Sequence, residues 1–294
     1  MSASLQATTL QTRPLHPEIG VEVLGLDLSR PLGAGTIAEL KRLWAQHLVL
    51  LFRGQSLSEE QQVAFSELFG SLERAPEGKW SSSRNPAVLR VANTTETGNK
   101  VDPEHMFQRY FATLAALWHT DSSYRAIPAY GSMLHALEIP PSGGNTCFAN
   151  TIAAYDVLPA ERKRLLEGRH MVHYYGFSRL FEPTLPPISA DDLRAFAPVT
   201  HPLVRTLPDG RRCLFLSANV AWYVGGMPIE QGEALHRELI DWATQDQFVY
   251  SHEWRVGDLL LWDNRPTMHR VLPYDKSYRR VLQRTSVAGT EVPV

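Results

Sequence analysis

The stretch that decides the fold is Phe248-Val249-Tyr250-Ser251-His252-Glu253-Trp254-Arg255-Val256-Gly257-Asp258-Leu259-Leu260-Leu261-Trp262. It holds two short runs of β-branched, aromatic and aliphatic residues, and the Gly257-Asp258 pair between them is typical of a turn that joins two strands. Short strands separated by Gly, Pro, Asn and Asp predict a mainly β domain, either a sandwich or a jelly-roll barrel. Further runs of this kind lie at 132–139, 146–149, 213–217 and 281–288.

Four other segments carry the signals of helices, which makes the predicted fold class α+β, with helices flanking the β structure. Two of them begin with a capping box ahead of apolar residues spaced three and four apart, and two begin at a proline. These signals lie at Thr36 with Glu39, at Ser58 with Gln61, at 159–166 and at 228–244.

One domain of residues 15–294 is predicted, because no repeat or low-complexity tract divides the chain. Residues 1–14 are rich in Ser, Thr and Gln and predict a disordered tail. Two long stretches, 74–111 and 176–200, are polar or proline-rich and have little periodicity. Because long loops in compact enzymes commonly cover an active site, both stretches are candidate lids.

Composition excludes several classes of partner. The 294 residues contain 29 Lys and Arg against 31 Asp and Glu, and the net charge of −2 gives no overall field that would attract nucleic acid or an anionic membrane. Cys147 and Cys213 lie in apolar stretches without zinc-binding spacing, so reduced buried thiols are expected. No apolar run approaches the roughly 20 residues of a membrane helix. A cytoplasmic protein with no nucleic-acid or membrane partner is therefore expected, and any anionic ligand needs a local site.

A metal site is the first chemical hypothesis. Residues i and i+2 of an extended strand point to the same face, so His119 and Asp121 of His119-Thr120-Asp121 can reach one ion. The triplet alone is a weak signal, and a third ligand is needed. His269 follows a strongly apolar strand, and a barrel would bring it back to the first pair. Two imidazoles and one carboxylate form the facial site that holds non-haem Fe(II) and leaves positions open for other ligands.

Two arginines on one strand suggest an anion site near this metal. Arg280 and Arg284 belong to the β-type run 279–287, in which alternate residues share one face. Two guanidinium groups that point into a barrel would be costly unless each met an anion, and a carboxylate is their best bidentate partner. An exposed edge strand rich in charge would give the same pattern, and spacing alone does not separate the two interpretations.

Motifs spread over most of the chain resemble the taurine and 2,4-dichlorophenoxyacetate family of Fe(II)/2-oxoglutarate-dependent dioxygenases. The family fold is a double-stranded β-helix, which is a jelly roll and agrees with the strand pattern above. The motifs are Phe52-Arg53-Gly54-Gln55, Trp118-His119-Thr120-Asp121-Ser122-Ser123, Pro140-Pro141-Ser142-Gly143-Gly144-Asn145-Thr146, Ala153-Ala154-Tyr155-Asp156, Pro202-Leu203-Val204-Arg205-Thr206 and Trp262-Asp263-Asn264-Arg265.

The resemblance implies a role for each candidate residue. Arg280 corresponds to the residue that binds the distal carboxylate of 2-oxoglutarate, and Thr146 to the hydroxyl that shares this carboxylate. Arg284 corresponds to the arginine that holds the anionic end of the substrate. The residues that match the iron ligands of the family are His119, Asp121 and His269.

The implied activity is that of a 2-oxoglutarate-dependent non-haem iron dioxygenase, which uses Fe(II), 2-oxoglutarate and O2 and releases succinate and CO2. The 118–124 and 248–254 segments and the Ser178-Arg179 pair are more similar to the aryloxyalkanoate branch than to the taurine branch. An aryl- or aryloxy-carboxylate is therefore the expected small anionic substrate, with Ser122, His173 and Arg179 as further substrate contacts.

Several alternatives are compatible with the same residues. One arginine does not distinguish a carboxylate from a sulfonate, an alkyl sulfate or an amino-acid-derived anion. A non-catalytic, cupin-like jelly roll with a structural metal is a rival of a different class, although it has no use for Arg280 and Thr146. A structural role for His173 and assembly into a homo-oligomer are also open.

Overall fold

The computed structural model describes residues 9–74 and 81–294. This part of the chain contains fifteen strands and seven α-helices. The strands are β1 (Thr12–Pro14), β2 (Val21–Val23), β3 (Val49–Phe52), β4 (Leu89–Ala92), β5 (Gly131–Glu138), β6 (Thr146–Asn150), β7 (His170–His173), β8 (Val199–Pro202), β9 (Val204–Thr206), β10 (Arg212–Leu214), β11 (Ala221–Val224), β12 (Val249–His252), β13 (Leu259–Asp263), β14 (Thr267–Val271) and β15 (Val281–Val287). The helices are α1 (Ala34–His47), α2 (Glu59–Glu67), α3 (Met106–Ala116), α4 (Thr151–Asp156), α5 (Ala160–Leu166), α6 (Ala190–Ala195) and α7 (Ile229–Ala243), with 3-10 helices at Tyr175–Phe181 and Asp246–Phe248.

The largest sheet has seven strands in the order β1-β2-β3-β13-β5-β15-β4. The β2–β3 pair is parallel and the other neighbours are antiparallel. Strands β3 and β13 are buried along their whole length. Their sequences, Val-Leu-Leu-Phe and Leu-Leu-Leu-Trp-Asp, lack the alternation of a half-exposed strand because both faces of the sheet are covered.

A three-stranded antiparallel sheet in the order β12-β6-β14 positions the candidate site. Strand β6 lies in the middle, so its residues have partners on both sides. Thr146 lies opposite His252 of β12 and Val271 of β14, and Phe148 lies opposite His269 of β14. Two smaller sheets, β11-β7-β8 and β10-β9, complete the β structure.

Three apolar clusters form the core. The first packs α1 and α2 against one face of the large sheet, with Trp44 and Phe65 among its members. The second joins the opposite face of that sheet to β6 through Phe148, Trp262 and Leu282. The third packs α4, α5 and α7 against β6, β14 and the smaller sheets. The predicted class, mainly β with flanking helices, is confirmed at this level.

Three of the four predicted helices begin where the sequence places them. The capping box at Ser58 is present, since its Oγ accepts from the Gln61 N–H at 3.2 Å and its own N–H donates to Gln61 Oε1 at 2.8 Å. The capping box at Thr36 is wrong. Helix α1 already begins at Ala34, because Gly33 is extended and enters the helix directly, and Thr36 lies inside the first turn. Among the described helices, none has the length and apolar character that crossing a membrane requires.

The predicted tail needs a correction. Strand β1 pairs with β2 in antiparallel register, and the Arg13 guanidinium forms an ion pair with Glu22. Residues 12–14 are therefore part of the large sheet, because the edge of β2 offers them backbone hydrogen bonds. Residues 9–11 of the predicted tail have no regular structure, and residues 1–8 lie outside the described residues.

Both candidate lids contain regular structure that the sequence did not predict. The 74–111 stretch includes β4, which pairs with β15, and the start of α3, and its residues 75–80 lie outside the described part. The 176–200 stretch includes most of a 3-10 helix and all of α6. Apart from α3, which begins inside the first stretch and ends beyond it, these elements have four to seven residues and are too short for periodicity to reveal them.

Candidate active site

His119, Asp121 and His269 come together because a short backbone bridge joins the two histidines. The N–H of His119 donates to the carbonyl of His269 at 3.0 Å, and the N–H of His269 donates to the carbonyl of His119 at 2.8 Å. Thr120 anchors the first segment from the other side, since its hydroxyl contacts the carbonyls of Leu216 and Thr267 at 3.1 Å each. The side chains of His119 and Asp121 are thus left free to face His269.

The donor atoms of the three side chains converge on one point. Nε2 of His119 and Nε2 of His269 each lie 3.9 Å from Oδ1 of Asp121, and all three donor atoms lie within 4.8 Å of one another. Among the described residues this is the one group of His, Cys, Asp and Glu side chains that is close enough to share a metal ion. Two nitrogens and one carboxylate oxygen fit a divalent iron ion and leave its other positions open.

Electrostatics favours the protonation state that a metal requires. Burial, followed by the neighbouring imidazole of His119, lowers the pKa of His269 to about 3. Burial also lowers the pKa of His119, whose Nδ1–H donates to the carbonyl of Leu117 at 2.7 Å and leaves Nε2 free as a ligand. Burial alone would raise the pKa of Asp121, but the Arg284 guanidinium and the two imidazoles hold it below its ordinary value.

A hydrogen-bond chain fixes the orientation of Asp121. The Ser132 hydroxyl donates to Asp121 Oδ2 at 2.8 Å, the Asn264 amide donates to the Ser132 hydroxyl at 3.0 Å, and Trp262 Nε1–H donates to Asn264 Oδ1 at 2.8 Å. The supporting roles of Ser132, Asn264 and Trp262 were not predicted from the sequence. The Trp262-Asp263-Asn264-Arg265 motif drew attention to Asn264, but no sequence signal pairs Ser132 with a residue on another strand.

Arg280 is a buried cation that immediately precedes β15. Its side chain is 4% exposed, and its Nη2 donates to the carbonyl of Gly144 at 3.3 Å, while Nε has no partner among the described residues. Burial lowers its pKa to about 10, and the nearby Tyr274 opposes that shift. No ion pair joins Arg280 to any carboxylate of the described chain, so the site has the charge and the free donor for a bound anion.

Thr146 lies on the strand that connects this cation to the metal site. It is fully buried at the start of β6, two residues after Gly144, whose carbonyl binds Arg280. Two residues further along the same strand, Phe148 pairs with His269. Since alternate strand residues share one face, Thr146 and Phe148 point to the same side of the sheet. Along this segment, Thr146 therefore lies between Gly144, which contacts Arg280, and Phe148, which pairs with His269.

Arg284 reaches the metal ligands themselves. Its Nη1 donates to Oδ1 of Asp121 at 3.0 Å, and its side chain is 27% exposed, so it is the more accessible of the two arginines. Leu282, two residues before Arg284 on β15, is fully buried in the core, and β15 pairs with β5 on one side and with β4 on the other. The predicted face of the strand therefore points inward, and the alternative of an exposed, charged edge strand is wrong.

The other predicted substrate contacts are at different distances from the triad. Ser122 follows Asp121 directly and has a φ of 57°, and its hydroxyl donates to Glu73 at 3.4 Å. His173 is fully buried behind this segment and bonds to the Ser123 hydroxyl at 3.1 Å. Arg179 lies on the 3-10 helix with its guanidinium 5.2 Å from the Tyr110 ring centre, and no contact joins it to the triad within the described residues.

Glu73 is a further acidic group beside the site that the sequence did not single out. Burial raises its pKa, while the positive charges of Arg125 and Arg284 act in the opposite direction. Its backbone N–H donates to the carbonyl of Ser286 at 2.8 Å, which ties it to β15 just beyond Arg284. The only sequence signal available was its position after Gly70, at the end of the second helical segment.

Comparison with known proteins gives a consistent result. The sequence profile of the family described as "Taurine catabolism dioxygenase TauD, TfdA family" matches residues 11–286. The chain is 40% identical over 285 residues to the alpha-ketoglutarate-dependent 2,4-dichlorophenoxyacetate dioxygenase of Cupriavidus pinatubonensis, covering 95% of this chain and 98% of that protein. It is 32% identical to the (S)-phenoxypropionate/alpha-ketoglutarate-dioxygenase of Delftia acidovorans, covering 96% of each.

Among solved structures, the chain is similar to AAD-2 in complex with Mn(II) and N-oxalylglycine. The TM-score is 0.87 and the identity is 37%, with 98% of this chain and 99% of that chain covered. The similarity therefore extends over the whole architecture, and the structure of that relative is a complex with a divalent metal ion.

Proposed function

The chain belongs to the taurine catabolism dioxygenase TauD/TfdA family, and we propose that it hydroxylates a small aryl- or aryloxy-carboxylate. It is a 2-oxoglutarate-dependent non-haem iron dioxygenase, so Fe(II), 2-oxoglutarate and O2 enter the reaction, and succinate and CO2 leave it. The observation that carries the proposal is the position of two inward-facing arginines beside one His-Asp-His cluster. Two anions are needed around one metal, and the site has one guanidinium for each.

We assign the metal to the Nε2 atoms of His119 and His269 and to the carboxylate of Asp121. A bound Fe(II) ion supplies the activation of O2 that amino acid side chains do not provide. The chain supplies neutral imidazoles, an ionised carboxylate oriented by Ser132, and the buried Trp262, whose ring centre lies 5.0 Å from that of His269.

We assign the cosubstrate to Arg280 and Thr146. The uncompensated guanidinium of Arg280 forms a charge-assisted, bidentate pair with the distal carboxylate of 2-oxoglutarate, and the Thr146 hydroxyl donates to the same carboxylate. The 2-oxo acid end of the molecule would then extend toward the metal ligands, because Thr146 and Phe148, the partner of His269, are two residues apart on β6.

We assign the substrate anion to Arg284. Its guanidinium already lies at the metal ligands, and it is accessible enough to exchange the contact with Asp121 for a substrate carboxylate. Ser122, His173 and Arg179 are proposed to line the remainder of the pocket. An aryloxy-carboxylate held in this way presents the carbon between its carboxylate and its ether oxygen to the metal. Hydroxylation of that carbon gives a hemiacetal, which breaks down to a phenol and an oxo-acid.

The fold and the lids belong to the same proposal. We propose that the strands form the double-stranded β-helix of the family. Contacts between the two lid segments support a shared cover over the substrate: Tyr110 and Ser178 share a hydrogen bond of 2.5 Å between their hydroxyls, and Arg109 Nε donates to Glu182 at 2.9 Å.

A substrate panel tests the function. Succinate and phenol are measured in the presence of Fe(II), 2-oxoglutarate and ascorbate, with phenoxyacetate, taurine, hexyl sulfate or an N-acyl amino acid as the test anion. Phenoxyacetate is expected to stimulate succinate release and to yield an equal amount of phenol. The Asp121→Ala variant is expected to give neither product. Stimulation by the sulfonate, sulfate or amino acid alone would overturn the substrate class, and no turnover with any anion would overturn the wider proposal.

A further inference from the structure

We propose that Trp254 is a positioning residue for the cosubstrate, because its indole N–H fixes the hydroxyl of Thr146 with the hydroxyl proton free for a bound carboxylate. Nε1 of Trp254 donates to Oγ1 of Thr146 at 3.0 Å. Both side chains are buried, Trp254 at 5% exposure and Thr146 at 0%, so water does not compete for the contact. The inference rests on the proposed function, since it concerns the residue assigned to 2-oxoglutarate.

The donor inventory of the two groups determines the direction of the Thr146 proton. An indole N–H only donates, whereas a threonine hydroxyl has one proton and two acceptor positions. Trp254 fills one acceptor position of Thr146, and no acceptor for the Thr146 proton occurs among the described residues. The hydroxyl is therefore held as a donor. A carboxylate accepts but does not donate, so this is the orientation that 2-oxoglutarate requires.

The position of Trp254 is itself well supported. The ring of His252 packs edge to face against it, with the ring centres 4.6 Å apart and an interplanar angle of 90°. His252 in turn donates from Nε2 to Asp258 Oδ2 at 3.1 Å and accepts at Nδ1 from the Tyr250 hydroxyl at 2.8 Å. Arg53 also donates to Asp258, at 2.5 Å, which completes a buried polar support behind the indole.

The topology explains why Trp254 reaches Thr146 and not another residue. His252 pairs with Thr146 in the β12–β6 register, and Trp254 lies two residues beyond His252 on the same side. Trp254 therefore lies beyond the end of β12, and its indole N–H contacts the Thr146 hydroxyl. A residue that served packing alone would need no such bond, and a phenylalanine would fill most of the same volume.

Calorimetric titration of N-oxalylglycine into the Mn(II)-loaded protein tests the proposal, because this analogue keeps both carboxylates of 2-oxoglutarate and binding is read without turnover. Trp254→Phe removes the donor and keeps an aromatic ring. It is expected to weaken N-oxalylglycine binding by about three- to tenfold, which corresponds to the net free energy of one hydrogen bond. Mn(II) affinity is expected to stay unchanged. Trp254→Tyr, as a second variant without the indole donor, is expected to show the same loss.

Trp242→Phe is the matched control. Its indole also donates a hydrogen bond, to the carbonyl of Ala154 at 2.9 Å, but it lies on α7 in a different part of the core. This variant is expected to bind N-oxalylglycine as the unmodified protein does. An equal loss of affinity in Trp242→Phe and Trp254→Phe would overturn the proposal, because the effect would then be one of general stability.

A double-mutant cycle provides the decisive comparison. Once Thr146→Val has removed the hydroxyl, adding Trp254→Phe is expected to cause no further loss of N-oxalylglycine affinity. Independent, multiplying losses would contradict a role through Thr146, as would unchanged binding in Trp254→Phe. Failure of the unmodified Mn(II)-loaded protein to bind N-oxalylglycine would instead refute the proposed function, so the two failures are distinguishable.

Discussion

Arg280 is the residue whose energetics point most strongly to a ligand. A guanidinium at 4% exposure loses most of its hydration. It has five N–H donors, and the carbonyl of Gly144 accepts a hydrogen bond from only one of them. A folded chain keeps such a group only where something offsets this cost, and the proposed pair with the distal carboxylate of 2-oxoglutarate would do so. Arg205, also buried, differs because its Nη2 has a carboxylate partner in Glu291 at 3.4 Å.

Arg280→Ala is expected to raise the KM for 2-oxoglutarate by about one to three orders of magnitude, because a buried charge-assisted pair is lost. Metal affinity is expected to remain within about twofold, since Arg280 has no contact with the triad. Steady-state kinetics and Mn(II) titration measure the two quantities. Arg279→Ala serves as the control, because Arg279 is exposed and pairs with Glu138 at the surface. An unchanged KM in Arg280→Ala would show that the cosubstrate binds elsewhere.

Arg284 is expected to be separable from Arg280 in kinetics, because the two are proposed to bind different molecules. Arg284→Ala is expected to raise the KM of the organic substrate by at least about tenfold, with a nearly unchanged KM for 2-oxoglutarate. It is also expected to increase the succinate formed without hydroxylated product, since a loosely held substrate leaves the reactive geometry. Arg284→Lys is expected to recover part of the loss, as it keeps the charge without the planar fork.

The measurement for Arg284 is paired: succinate and hydroxylated product are quantified in the same reaction. If Arg284→Ala keeps both its substrate KM and a one-to-one ratio of the two products, the substrate anion is bound by another group.

At the residue scale, the sequence predicts the candidate ligands better than their supports. The His119-Thr120-Asp121 triplet is found by local spacing alone, although the strand that this spacing predicts is absent: His119 forms an isolated bridge with His269, and Asp121 begins a turn. Ser132 and Asn264 contact each other across 132 positions of the chain, and that contact depends on strand pairing. No local pattern contains it.

At the scale of elements, the turn before β6 is in direct contact with Arg280. Gly143 and Gly144 have φ values of 74° and 68°, which glycine adopts without strain. A Cβ on Gly144 would lie 3.2 Å from Nε of Arg280, so the absence of a side chain leaves room for the guanidinium. The Gly143-Gly144 pair is thus part of the site through its backbone.

Gly144→Ala is expected to raise the Kd of N-oxalylglycine at the Mn(II)-loaded site by about tenfold or more, because the methyl group displaces Arg280. Gly210→Ala is the matched control. Gly210 has a φ of 85°, and a Cβ added to it would meet no atom within 4 Å, so the substitution causes similar backbone strain and no displacement. Calorimetry and thermal unfolding of both variants separate the two effects. Equal affinity in the two variants would contradict the proposed contact between the turn and Arg280.

The elements show the limits of sequence patterns in the same way. The continuous apolar runs of β3 and β13 predict buried strands, since complete burial removes the need for polar residues. Strand β4 escapes prediction because it has four half-buried residues at a sheet edge, and its pairing with β15 defines it. Helix α1 begins two residues before its predicted cap, because an extended glycine starts a helix without a side-chain signal.

At the scale of the whole molecule, several histidines are buried in neutral form. Burial lowers the pKa of His236 to about 4 and that of His269 to about 3, and it lowers the pKa of His119, His173 and His252 as well. An unfolded chain protonates these groups near pH 6.5. Below that pH the unfolded state binds more protons than the folded state, so the free energy of unfolding falls as the pH falls.

The metal-free protein is therefore expected to lose stability between about pH 6.5 and pH 4, at up to about 1.4 kcal/mol per pH unit for each such histidine. Urea unfolding at a series of pH values measures this slope. His236→Gln is expected to make the slope shallower by about one proton, whereas His105→Gln, at an exposed position, is expected to leave it unchanged. A slope that is identical in all three proteins would contradict the burial of His236 in neutral form.

The metal and cosubstrate assignments are tested together by a crystal structure of the protein with Mn(II) and N-oxalylglycine, with the metal located by its anomalous scattering. The expected result is one manganese ion bound by Nε2 of His119, Nε2 of His269 and the Asp121 carboxylate, with the distal carboxylate of N-oxalylglycine on Arg280 and Thr146. A manganese ion at any other side chains would contradict the metal assignment, and an analogue whose distal carboxylate avoids Arg280 would contradict the cosubstrate assignment.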